Sequence, residues 1–247
     1  MKERPILFST EMVKAILEGR KTMTRRVVKL NILQEEDGDS PTCFSVFGKK
    51  GNQYYEFKQG IEEEPSTAKD FCPHGQIGDV LWVKETVKPG AWREDGRVAF
   101  DYKASPELTK TPWVNLGEKF ENYWIKWTDQ LIKKGHKSNS DGIFEWEPGE
   151  SPINWIPSIF MPKEACRIKL RITNIRIKRL NETSVQDCYD EGTPELVSGW
   201  DSADVILAKF IDLWESINGK GSWDQNPWVW VISFEVVPGP HEILKQG

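Results

Sequence analysis

Gly19-Arg20-Lys21-Thr22-Met23-Thr24-Arg25-Arg26 sets an amine, two hydroxyls and a row of guanidiniums directly behind a helical pattern. Upstream, Val13, Ile16 and Leu17 recur at helical spacing from a cap at Ser9 or Thr10, and Gly19 supplies the left-handed stop that ends a helix. Lys21 therefore opens a turn or a strand beside a helix C-terminus. Taken alone, the stretch reads either as a solvated basic loop, where lysine and arginine usually lie, or as a polar site.

Working outward, Ile6-Leu7-Phe8 after Pro5 predicts a first strand leading into a helix over about 10–18. Beyond Val28 the chain turns polar. Residues 31–75 are rich in Asp, Glu, Gly, Ser and Lys, with a turn at Asp37–Pro41 and a hairpin within Phe44–Phe57, and they read as an insertion. Val80-Leu81-Trp82-Val83 predicts a buried strand, and the alternation of Val98, Phe100 and Tyr102 predicts the next. A second polar insertion covers 104–155, with 133–142 as its most loop-like part. Over 166–180, Ile168, Leu170 and Ile172 share a face before the apolar set moves to Ile175 and Ile177, which implies a bulge or a bend at a barrel corner. Thr183 and Gln186 have capping-box spacing for a short helix ended by Gly192, and Asp190 and Glu191 in its last turn oppose the helix dipole. A longer helix over 202–218 carries a stripe of Val205, Ile206, Phe210, Leu213, Trp214 and Ile217. The last strand, 228–237, has apolar residues on both faces and reads as central.

The chain has 247 residues, enough for a sizeable core in one domain with insertions, and its net charge of −5 argues against a protein that coats duplex nucleic acid over its whole surface. No apolar run approaches membrane-spanning length and residues 1–5 lack an apolar signal region, so a cytoplasmic protein without a membrane partner is expected. Cys43, Cys72, Cys166 and Cys188 have no paired spacing and read as free thiols. Cys72-Pro73-His74 offers two metal ligands without a clear third, so neither a metal nor a cofactor is expected. Trp113, Trp124, Trp127, Trp146 and Trp155 crowd the second insertion, either to stack on unpaired bases or to staple a polar segment to the fold. Arg167, Lys169, Arg171, Arg176 and Lys178 could track a phosphate backbone or form a solvated outer face.

The segment Ile16–Arg26 resembles the signature of the ASCH domain family, small β-barrels related to PUA RNA-binding domains, in which Gly-x-Lys-Thr follows the first helix. Gly78–Thr86, Pro157–Pro162 and Asn226–Val231 fit the phage or prophage branch of that family. The resemblance implies an α+β fold, a PUA-like β-barrel with flanking helices, spanning 1–247 as one domain and carrying the two polar insertions. It also implies RNA or a small nucleoside as the bound species, since the family's members include RNA binders, ribonucleases and N4-acetylcytidine amidohydrolases. In the amidohydrolases a lysine and a threonine of this motif act with a glutamate, and Lys21, Thr24 and Glu191 are the residues here that match. Arg20, Thr22, Arg25, Arg26 and Trp82 then become the expected substrate-binding set.

The same roles can be argued chemically. A hydroxyl cleaves an amide when a base takes its proton and an acid protonates the leaving nitrogen. Thr24 would be the nucleophile, Lys21 the base with its pKa lowered by burial or by Arg25 and Arg26, and Glu191 the acid. In a regular strand residues 21 and 24 face opposite sides, which leaves Thr22 as an alternative hydroxyl on the Thr24 face. For a single-strand ribonuclease the lysine would stabilise a phosphorane and Arg25 or Arg26 would hold the phosphate. An inert RNA-binding module needs neither.

Overall fold

The computed structural model describes residues 1–28, 72–105, 113–193 and 202–238. The expected 44–57 hairpin, Cys43, most of the first insertion and the polar tail fall outside them. Strands β1 (Glu3–Leu7), β2 (Met23–Val27), β3 (Val80–Lys84), β7 (Lys169–Arg179) and β8 (Trp228–Val237) form one sheet in the order β1-β3-β7-β8-β2. Strands β4 (Val87–Trp92), β5 (Arg97–Tyr102) and β6 (Val114–Asn115) form a second. With helices α1 (Thr10–Leu17), α2 (Phe120–Lys133), α3 (Val185–Asp190) and α4 (Ala203–Asn218), the fold is α+β. The expected closed barrel is not found among the described residues, whose five-stranded order runs open from β1 to β2.

The chain divides into two compact units, one of residues 1–4, 15–81 and 170–238 and the other of 5–14, 82–169 and 239–247. In the first unit α4 supplies the core. Its buried residues Ile206, Phe210 and Trp214 recur every four positions and pack with Met23, Leu180, Val229 and Val231. Each such burial contributes roughly 1.5–3 kcal/mol. The stripe is narrower than its sequence pattern, because Val205 and Ile217 are exposed. Strand β8 lies between β7 and β2, which accounts for its apolar residues on both faces. Along β7 the buried positions pass from Leu170 and Ile172 to Ile175, so the register change lies within one uninterrupted strand.

The second unit is built on the hairpin β4–β5, where Val87, Val98, Phe100 and Tyr102 pack with Trp127 and Leu131 of α2. Helix α2 was hidden in sequence by the polarity of the second insertion, since only Trp127 and Leu131 of its residues are buried. These two lie four apart, on one face. Trp127 stacks on Tyr123 at 5.4 Å and meets Trp92 at 5.6 Å, so this ring is a staple. Beyond the end of α2 at Lys133, residues 134–142 form a loop as expected, in which Asn139 Oδ1 accepts from the backbone N–H of Asp141 and Ile143. Arg167 likewise leaves the expected cation stripe and forms a bidentate pair with Glu85, at 2.8 and 2.9 Å.

Candidate functional site

The site lies in the first unit, where Lys21 and Thr22 join elements distant in sequence. Ala15 O accepts from the Lys21 N–H at 3.0 Å, Asp190 O accepts from Thr22 N–H at 2.8 Å, and Thr22 O accepts from Phe234 N–H at 2.9 Å. An antiparallel bridge pairs Lys21 with Glu191. The C-terminal ends of α1 and α3 thus meet the strand entering the sheet beside β8. Gly192 makes the approach possible: at φ +86° its backbone favours glycine, and a Cβ there would lie 2.8 Å from Ala15 Cβ and 3.0 Å from Lys21 Cβ.

Lys21 Nζ donates to Glu191 Oε2 at 2.7 Å and to Glu191 O at 2.8 Å. Arg25 Nη1 donates to the other carboxylate oxygen at 3.1 Å, and Arg25 Nη2 pairs with Asp187 Oδ2 at 2.9 Å. The Lys21 side chain is fully buried and those of Arg25 and Glu191 nearly so. The anion that opposes the α3 dipole at Glu191 is therefore held by two buried cations. Asp187 is also the capping residue of α3, because Ser184 Oγ accepts from the Asp187 N–H at 3.1 Å and Asp187 Oδ2 from the Ser184 N–H at 3.0 Å. This corrects the expected Thr183/Gln186 box by one position. The Ser184-x-x-Asp187 spacing was the signal in the sequence that could have found Asp187.

Burial pushes the Lys21 ammonium below its ordinary pKa of 10.5, Glu191 opposes that fall, and Arg26 and Arg25 add to it. Arg26 is itself lowered, chiefly by burial, against the pull of Glu191. His74, which sequence reasoning weighed only as a metal ligand, is held at about 4 by burial with further lowering from Arg26 and Arg4. Burial raises the Cys72 thiol to about 11. Among the described residues no cluster of three His, Cys, Asp or Glu is placed to hold a metal ion.

The other expected residues separate. Met23 packs in the α4 cluster and the Arg25 guanidinium sits 5.8 Å from the Phe210 ring centroid, so odd-numbered residues of β2 face α4. The pleat then turns Thr24, only 1% exposed, and Arg26 to the opposite face. Thr22 is exposed. Arg20 lies at the surface, where it donates to Gly192 O at 2.8 Å and to Glu18. Trp82 belongs to the second unit, with Lys84 Nζ 5.5 Å from its ring centroid.

No family model, curated protein or solved structure matches this chain. What the geometry itself offers is a buried lysine whose proton is shared with a carboxylate and destabilised by its surroundings. A lysine so placed releases its proton more readily than an exposed one. Among the described residues no helix is long and apolar enough to cross a membrane.

Proposed function

We propose that Lys21 and Glu191 form the acid–base centre of an amidohydrolase that removes the acyl group from an N4-acylated cytidine, within a PUA-like fold. The observation that carries this reading is the buried Lys21 ammonium, lowered in pKa and seated 2.7 Å from Glu191. Neutral Lys21 takes a proton from a water molecule as that water attacks the acyl carbon, because Thr24 is turned to the opposite face of β2. Glu191 relays that proton to N4 as the C–N bond breaks, releasing cytidine and the free carboxylic acid. Thr24 shares its strand face with Arg26, and Arg26 lies within electrostatic reach of both Lys21 and Glu191. Arg20 and Thr22, both exposed beside the pair, are the residues that would receive the nucleoside.

Chromatography of N4-acetylcytidine and of a single-stranded RNA after incubation with the protein, Lys21→Ala and Thr24→Ala tests this. Cytidine release that Lys21→Ala abolishes supports the hydrolase, and its loss in Thr24→Ala as well would return Thr24 as the nucleophile. Cleaved RNA with intact nucleoside identifies a ribonuclease instead. The near-complete burial of Lys21, Arg25 and Glu191 favours one further reading, a structural clamp that fastens α3 to β2 in an RNA-binding module. Salt-dependent RNA affinity without turnover would select it.

A further inference from the structure

The second unit contains a cleft of about 1270 Å³ that the proposed reaction does not use. Four indoles, Trp92, Trp113, Trp124 and Trp146, stand in its wall. Trp92 and Trp146 pack together at 5.3 Å, whereas Trp113 and Trp124 keep 37% and 44% of their surface exposed. The charges around these rings are one-sided. Among the described residues, Glu94, Asp95, Asp101, Asp141 and Glu145 line the cleft against Arg93 as its one cation. Arg97 pairs with Asp95, and Lys88 approaches Asp101 at 3.8 Å. Glu94, Asp141 and Glu145 are left without a cation partner among the described residues.

An acidic wall repels a phosphate backbone, so these tryptophans are not a platform for nucleic acid. Aromatic faces combined with unpaired carboxylates attract organic cations. The cleft already displays the contact: the Arg93 guanidinium sits 4.2 Å from the Trp113 ring centroid. A planar guanidinium stacks flat on an indole while its N–H fork meets a carboxylate bidentately, a geometry that the compact ammonium does not offer. The volume exceeds that of pockets for single small ligands, about 300–1,000 Å³, and suits several side chains of an extended segment.

We infer that this cleft docks an arginine-bearing peptide segment of a partner protein, its guanidiniums stacking on Trp113 and Trp124 and pairing with Asp141, Glu145 and Glu94. The inference is independent of the Lys21 chemistry.

The test is calorimetric titration of the full chain with an end-blocked Gly-Arg-Gly-Arg-Gly-Arg peptide, beside the same peptide carrying lysine or citrulline in place of arginine, and beside oligouridylate. Binding of the arginine peptide is expected, with the lysine form weaker and the citrulline form at least about tenfold weaker. Trp124→Ala and Asp141→Asn, both at exposed positions, should each weaken it about three- to tenfold with unchanged thermal unfolding. Glu11→Gln removes the same charge from an exposed carboxylate of α1 and should leave affinity unchanged. No binding, equal binding of the citrulline peptide, equal loss in Glu11→Gln and Asp141→Asn, or tighter binding of oligouridylate would each overturn the proposal.

Discussion

Each unit buries a carboxylate against cations, Glu85 against Arg167 in the second and Glu191 against Lys21 and Arg25 in the first, and the difference lies in the lysine. In the second unit Arg167 closes on Glu85 with both Nε and an Nη, its guanidinium 4.0 Å from the Tyr102 ring centroid. In the first, Lys21 donates to Glu191 through a single ammonium that also serves a backbone carbonyl. Burial works against both: it raises Glu85 above the ordinary carboxylate value and lowers Lys21 below that of a lysine. An arginine keeps its proton at any working pH, so the Arg167 pair can only hold structure. A lysine so lowered can release one.

The largest effect that would sharpen this contrast is on turnover of N4-acetylcytidine. Lys21→Arg keeps a cation opposite Glu191 but not a titratable one, and activity should fall about 10²- to 10⁴-fold. In the parent protein kcat/KM should rise with pH as Lys21 loses its proton, along a limb centred below 10.5 and absent from the variant. Activity retained in Lys21→Arg would break the contrast.

Next in size is the loss expected of Arg167→Ala, about 3–5 kcal/mol in urea unfolding, because Glu85 would remain buried and unpaired. Lys21→Ala should cost less, since Arg25 still holds Glu191. The reverse order would make Lys21 the structural member of the comparison.

Acid should act on the first unit through His74. Its pKa falls from 6.5 to about 4 on folding, so the unfolded chain binds a proton that the folded chain refuses. Stability therefore drops as pH falls from 6.5 and levels off below 4, by at most about 3 kcal/mol. His74→Gln should flatten that part of a thermal-unfolding profile against pH.

The smallest effect is that of Gly192→Ala, for which a loss of about 1–3 kcal/mol is expected from the positive φ and the contact with Ala15. Activity on N4-acetylcytidine should fall with it, since the same contact positions Lys21. Unchanged thermal unfolding and activity would show that the helix ends can separate at no cost.

How much of this could be read along the chain differs between the two units. Most strands of the first were legible because Ile, Val and Trp alternate in runs short enough for strands, and α4 because its apolar residues recur at helical spacing. Helix α2 was not, as its surface is polar and only two of its residues meet the core. Of the candidate site, Lys21, Arg25 and Glu191 were legible as residues through the motif and through the anion misplaced at a helix end. The orientation of Thr24 was not legible, because it depends on where β2 begins its pleat, and pairing with β8 from Met23 onward decides that.

The sequence by itself determined the ends of α1 and α4, the central place of β8 and the chemical endowment of residues 19–26, since these follow from periodicity, caps and side-chain type. Only the tertiary structure decided that Glu191 meets Lys21 across 170 residues, that Arg25 and Asp187 complete the cluster, and that the carboxylates and tryptophans of the second unit enclose one cleft. Local pattern reports which face of an element is apolar. It carries no information about which distant element that face will meet, because ion pairing and desolvation are set by three-dimensional proximity.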